Sequence, residues 1–143
     1  MTHQENLVSL IQLFETLSPE NIGTLTELYT PDAFFKDPFN EVRGHAAIIG
    51  IFNHMFKQVD EPKFVVTTSI LQGDDAFIVW EFLFSEKHKA HVKHHIHGSS
   101  HLRFGLDHRV HYHRDYWDTA EELYEKVPLL GSLMRFLKNQ VRN

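Results

Sequence analysis

The sequence predicts an α+β domain: three N-terminal helices packed on one face of a curved antiparallel sheet. Three observations carry this. Apolar residues recur with the helical period up to Val59 and with period two after Pro62. Turn-forming clusters separate the later runs at hairpin spacing. The chain has 143 residues, the size of one domain, so both halves must share one core.

Each element follows from its residues. Leu7, Leu10, Ile11, Phe14 and Leu17 line one face of a first helix. Ser18-Pro19-Glu20 reads as an N-cap, a Pro at the first helical position and a first-turn acid. The second helix then carries Ile22, Leu25, Leu28 and Tyr29 and stops before Pro31. Ala33 to Phe39 is a short apolar segment broken by Asp37-Pro38, and a residue before Pro favours extended backbone. Gly44 precedes a third helix with Ile48, Ile51, Phe52, Met55, Phe56 and Val59. Phe64 to Leu71 and Ala76 to Phe84 read as strands turning at Gln72-Gly73-Asp74-Asp75. His91 to Phe104 and Arg109 to Asp118 form a second hairpin around Gly105-Leu106-Asp107-His108. The segment Ser85 to Lys93 between the hairpins reads as a loop. Thr119 to Asn143 reads as one helix broken near Pro128 and Gly131, an extension of a single domain spanning 1–143. It is more apolar than a free helix should be, so it is expected to cover the core or the mouth of a pocket.

Composition narrows the function. The absence of Cys excludes disulfides, thiolate zinc sites and cysteine nucleophiles. A net charge of −5 argues against a nucleic-acid partner. No apolar run approaches the roughly 20 residues of a membrane span, so no membrane partner is expected. Met1 to Glu5 lacks a signal-peptide pattern, and a cytoplasmic location is the expectation. The 12 Phe suggest a large core or an enclosed pocket. Of 12 His, nine lie between His88 and His113, so charge is sensitive to mild acid. Their crowding predicts lower stability as they charge together between about pH 6 and 5.

The run Tyr29-Thr30-Pro31-Asp32-Ala33-Phe34-Phe35-Lys36-Asp37-Pro38-Phe39, Arg43-Gly44 opening a helix, and the strand ending Tyr116-Trp117-Asp118 resemble the nuclear transport factor 2-like superfamily. The similarity is to its SnoaL-like and ketosteroid-isomerase-like members and covers about residues 5 to 120. It implies a cone whose sheet wraps a hydrophobic pocket, usually in a homodimer. It places Asp37 where ketosteroid isomerases carry their general base. Those enzymes add an oxyanion hole of a Tyr and a protonated Asp. These two positions fall on Leu13 and Ser100 here, which weakens the case for steroid-type isomerisation.

With Gly105 to His108 as the loop, β-partners sum to 213, so Ser100 faces His113 and Gly98 faces Asp115. One face then carries Ile96, Gly98, Ser100 and Leu102 with His111, His113, Asp115 and Trp117. The resemblance turns the Trp117 face toward the pocket, and the same alignment turns Val79, Glu81 and Leu83 inward. Trp80, Phe82 and Phe84 are then expected outside, toward a homodimer partner or the C-terminal segment.

The candidate catalytic residues are therefore Asp37, His113 and Asp115, a carboxylate–imidazole set suited to proton transfer. Leu13, Phe14, Phe35, Phe56, Glu81, Ser100 and Trp117 are the candidate ligand-binding residues. Alternation sends His111 and His113 to one face and His95, His97 and His101 to the other, so no metal is expected, and no cofactor motif occurs. The reading is a pocket protein for a hydrophobic small molecule, using acid–base chemistry for isomerisation, cyclisation or hydrolysis. The alternative is a non-catalytic ligand-binding or dimerisation module of the same fold. Asp37 also has a purely structural reading as a turn residue bonding nearby N–H groups.

Overall fold

Thr2 starts the first helix, its Oγ1 accepting the Glu5 N–H at 3.1 Å. The computed structural model describes residues 1–118; Thr119 to Asn143, read above as a helical extension, lie outside the described residues. Helix α1 (His3–Glu15) buries Leu7, Leu10, Leu13 and Phe14. Asn6 is buried among them, and its Nδ2 donates to the backbone carbonyls of Leu28 and His108, tying α1 to two other elements.

The second helix is shorter than its sequence suggests. Ser18 and Asn21 cap each other, Asn21 Oδ1 accepting the Ser18 N–H at 2.8 Å. A 3-10 turn at Ile22–Thr24 and the four residues of α2 (Leu25–Leu28) follow. Tyr29 is not helical but opens strand β1 (Tyr29–Lys36). Pro31 sits inside that strand, within the interruption of its pairing between Tyr29 and Phe34, where no ladder N–H is needed. Strand β2 (Glu41–Arg43) returns beside it, and α3 (His45–Gln58) follows, burying Ile48 and Phe52. Gly44 precedes α3 at φ +95°, a conformation that suits only glycine.

The meander is β3 (Val59–Gln72), β4 (Asp75–Glu86), β5 (Lys89–Phe104) and β6 (Val110–Tyr116). Strand order is β2-β1-β6-β5-β4-β3, with β1 parallel to β6 and every other pair antiparallel. The described residues thus form an α+β fold: three helices on an open six-stranded mixed sheet, two strands more than the meander alone. The segment Ser85 to Lys93 is not a loop. β4 and β5 run on to a two-residue turn at Lys87-His88, where His88 takes φ +63°. β3 bulges between Asp60 and Lys63, which accommodates Pro62, and again between Val66 and Thr68. Glu15 Oε2 of α1 accepts the Val66 N–H at 3.0 Å.

Two features of the sheet place the site. First, β5 and β6 pair two residues away from the simple count, with Ser100 opposite Asp115 and Leu102 opposite His113. The turn closes through Gly105 N–H to Arg109 C=O at 2.8 Å, and β6 then bulges against Arg103–Phe104. An even slip preserves faces, so His113 and Asp115 still point inward with Ser100. His111, at the bulge, is exposed instead. Second, β4 pairs Trp80 with Gly98 and Ile78 with Ser100. Cross-strand partners share a face, so Ala76, Ile78, Trp80, Phe82 and Phe84 are inside and buried. The expected orientation of β4 is therefore reversed: Val79, Glu81 and Leu83 face out.

Candidate functional site

A single turn brings the site to one end of the sheet. Asp37 leaves β1 and is followed by Pro38, which favours extended backbone before it. The chain reverses through Asp37 N–H to Asn40 C=O at 2.9 Å. Asp37 Oδ1 accepts the N–H groups of Phe39 at 2.8 Å and Asn40 at 2.7 Å, the turn pattern its sequence suggests. The same carboxyl is also chemically poised. Burial, then the negative charge of Asp115, push it from 3.8 up to about 6, against the lowering effect of its own hydrogen bonds. The structural and the functional reading of Asp37 are therefore compatible.

Parallel pairing of β1 with β6 sets His113 beside Phe35. The imidazole is buried in an aromatic box of Phe14, Tyr29 and Phe35, with ring centroids 5.9, 5.9 and 4.7 Å away. Its Nδ1 lies 2.5 Å from the Tyr29 hydroxyl and its Nε2 2.6 Å from Asp115 Oδ1. Ser100, opposite Asp115 in the ladder, donates to the same Oδ1 at 2.5 Å. Trp80 Nε1–H in turn donates to Ser100 Oγ at 2.9 Å. Trp80 can lie there because its ring covers Gly98, where an added Cβ would fall 2.4 Å from Cη2.

The expected residues thus divide. Asp37, Ser100, His113 and Asp115 are brought together. Phe14 and Phe35 wall His113. Leu13 is a core residue, and Phe56 is only partly buried, with Phe52 bordering the inner space in its place. Glu81 is excluded: it is on the outer face, bonded to His95 and to His97 Nδ1 at 2.8 Å. Tyr29 and Trp80 complete the network. The helical spacing of its segment hides Tyr29, whereas the alternation of β4 signals Trp80.

The cone interior is packed rather than hollow. The space between Phe14, Phe52, Phe64, Trp80 and His113 is about 20 Å³, room for a water molecule. A larger cleft of about 700 Å³ lies at this end of the sheet, lined by Asp37, Gly98, Asp115 and Trp117 and also by Val79 and His97 of the outer face. Trp117 is braced there edge-on against Phe39 at 5.6 Å. Asp115 borders both spaces, so the buried relay ends on the wall of a cleft of ligand size. Asp37, its carboxyl raised to about 6 by burial and by the charge of Asp115, is suited to giving and taking a proton. Among the described residues, no group of three or more His, Asp or Glu side chains is placed to hold a metal ion. No helix among them is long and apolar enough to cross a membrane.

Comparison with known proteins agrees with this geometry at the level of fold. The family described as SnoaL-like domain matches residues 10–113. A putative SnoaL-like polyketide cyclase from Shewanella denitrificans is 18% identical with a TM-score of 0.70, over 91% of this chain and 97% of that one. An NTF2-like protein of unknown function from Burkholderia pseudomallei is 16% identical with a TM-score of 0.72, over 87% and 97%. A protein of ketosteroid isomerase-like fold from Catenulispora acidiphila, solved with trimethylamine, is 17% identical with a TM-score of 0.70, over 87% and 92%. No curated protein matches the chain.

Proposed function

The chain belongs to the SnoaL-like domain family, and on that premise we propose that it binds a hydrophobic small molecule in the Asp37–Asp115 cleft and performs acid–base chemistry on it. The observation that carries the proposal is the raised Asp37 carboxyl facing the negative charge of Asp115 in a ligand-sized cleft. A carboxyl held near 6 is well matched to giving and taking protons close to neutral pH. Proton abstraction beside a carbonyl, the first step of an isomerisation or an aldol-type cyclisation, is the reaction class it suits. The resemblance of the fold to SnoaL-like polyketide cyclases supports the same class.

The test needs no knowledge of the natural substrate. Aromatic ketones are incubated with the protein in D₂O, and exchange of their α-protons is followed by NMR. Enzyme-dependent exchange is expected, falling by on the order of 10²–10⁴ in Asp37→Asn. Ketone binding, read from Trp fluorescence, with exchange no faster than in buffer would favour the non-catalytic module instead. The near-filled cone interior supports that second reading.

The proposed assembly is a homodimer through the outer sheet face. With Trp80, Phe82 and Phe84 buried, the large apolar residues exposed on that face include Ile70, Phe77, Leu83 and Tyr116. Glu81 and Asp75 lie among His95, His97, His101 and Arg103, a mixed-charge pattern that suits self-association. Light scattering at micromolar concentration should give twice the monomer mass; a monomer would refute it.

A further inference from the structure

The cleft beside Asp115 has an outer wall, and that wall carries positive charge. Strand β6 turns Arg114 and Tyr116 to the outer face, opposite in parity to His113 and Asp115. The parallel ladder sets Lys36 of β1 beside Arg114, and the antiparallel ladder sets Ser99 of β5 beside Tyr116. All four line the cleft. Lys36 Nζ reaches Glu41 Oε1 at 3.2 Å, an exposed ion pair that water screens. Arg114 meets no carboxylate among the described residues. Its guanidinium lies over the ring of Tyr116, 4.8 Å from the centroid. By contrast, Arg103 and Arg109 hold carboxylates at 2.9 and 2.8 Å, and Arg43 donates to the Asp32 carbonyl at 3.4 Å. A guanidinium held over a ring keeps its N–H donors for another partner.

We propose that this outer wall binds the carboxylate of a planar aromatic acid, with Arg114 holding the charge. The proposal goes beyond the acid–base reading of Asp37 and does not rest on it. Tyr116 braces the guanidinium, so little side-chain freedom is lost when two of its N–H donors close on a carboxylate. Ser99 adds a hydroxyl. Lys36 and Arg114 share one neighbouring carboxylate, Glu41, which leaves this side of the cleft positive. Of the acids lining the cleft, Asp115 is turned inward and bonded to His113 and Ser100, and Asp37 is bonded within its own turn; Asp118 follows the end of β6. Pro38, Val79 and Trp117 supply apolar surface for a ring, in a space of about 700 Å³ that suits a small aromatic molecule. Ile70, Phe77 and Leu83, assigned above to contact between copies, do not line the cleft, so the two uses of the outer face are separate.

The experiment titrates the full chain with 2-naphthoate and with its neutral analogue 2-naphthamide. Trp fluorescence and the ¹⁵N signal of the Arg114 side chain are followed together. Trp117 lines the cleft, whereas Trp80 is buried. Naphthoate should bind saturably, about tenfold or more tighter than the amide, and should shift the Arg114 Nε–H signal. Arg114→Gln should lose about tenfold in naphthoate affinity, and Arg114→Lys, which keeps the charge but not the fork, should recover only part of it. Lys57→Gln removes the same charge from α3, which does not line the cleft, and should bind as the wild type does. Equal affinity for acid and amide, or unchanged naphthoate binding in Arg114→Gln, would overturn the proposal. Inorganic phosphate binding as tightly as naphthoate would overturn it too, because the apolar wall would then contribute nothing. Should Arg114→Gln not fold, the acid–amide comparison and the Arg114 signal in the wild type decide. Neither probe has an α-proton to exchange, so this test and the ketone exchange test fail separately.

Discussion

Asp37→Asn should make the protein more stable at neutral pH. Asp37 holds its proton to about 6 in the fold, against 3.8 for an ordinary Asp. Between those values the native state binds more protons than the unfolded one, so stability falls as pH rises through the window. The stability of the protonated form is fully present below about pH 4 and lost above about pH 6. A difference of about two units corresponds to about 3 kcal/mol. Asn keeps an Oδ1 acceptor for the Phe39 and Asn40 N–H groups but forgoes the stronger bonds of a carboxylate. The expected gain is therefore about 1–3 kcal/mol at pH 8 and close to nothing at pH 4. Urea unfolding of both proteins at pH 4, 6 and 8 measures it directly. A difference that does not grow with pH, or a variant less stable at pH 8, would refute the reasoning. A gain in stability joined to a loss of exchange activity is the pattern of a site kept at a cost to the fold.

Other outcomes follow from the same geometry. Asp115→Asn removes the charge facing Asp37, so the Asp37 midpoint, followed by NMR, should drop below its value near 6; an unchanged midpoint would break the coupling. Gly98→Ala places a Cβ against Trp80 and should cost about 1–3 kcal/mol in denaturant unfolding, with a change in Trp fluorescence. Glu81→Gln acts on the outer face and should leave the Asp37 midpoint alone, whereas a shift would contradict the facing of β4. Mild acid should not weaken the protein as His crowding suggests. His95, His97 and His101 sit on Glu81 and Asp75, which are themselves held below the usual carboxylate range and lose their contribution only on deeper acidification. With Asp37 gaining its proton, the thermal midpoint should rise from pH 7 to 5.

Much of this was legible in the residues. The periods of Leu7–Phe14 and Ile48–Phe52 specify α1 and α3 because burial of one stripe is what stabilises those helices. Alternation puts His113, Asp115 and Ser100 on one face, and a two-residue shift in register leaves that parity intact. The resemblance turns Glu81 inward, whereas the pairing of β4 with β5 turns it out. The apolar run Ala76, Ile78, Trp80, Phe82 and Phe84 opposes the inward placement, since so large an apolar face belongs in the core. Tyr29 was not legible. Its segment reads equally well as the last turn of a helix, and only the parallel pairing of β1 with β6, distant in sequence, brings it to His113.

The bulges of β3 bear on how this sheet meets other chains. β3 is a terminal strand of 14 residues, long enough to template a stranger's backbone along its free side. Pro62 removes one donor, two kinks break the straight run, and the Glu15 carboxylate already occupies the Val66 N–H. At the opposite margin, β2 offers only three residues. Among the described residues, runaway strand addition, the route to amyloid-like stacking, is thereby hindered at both margins of the sheet.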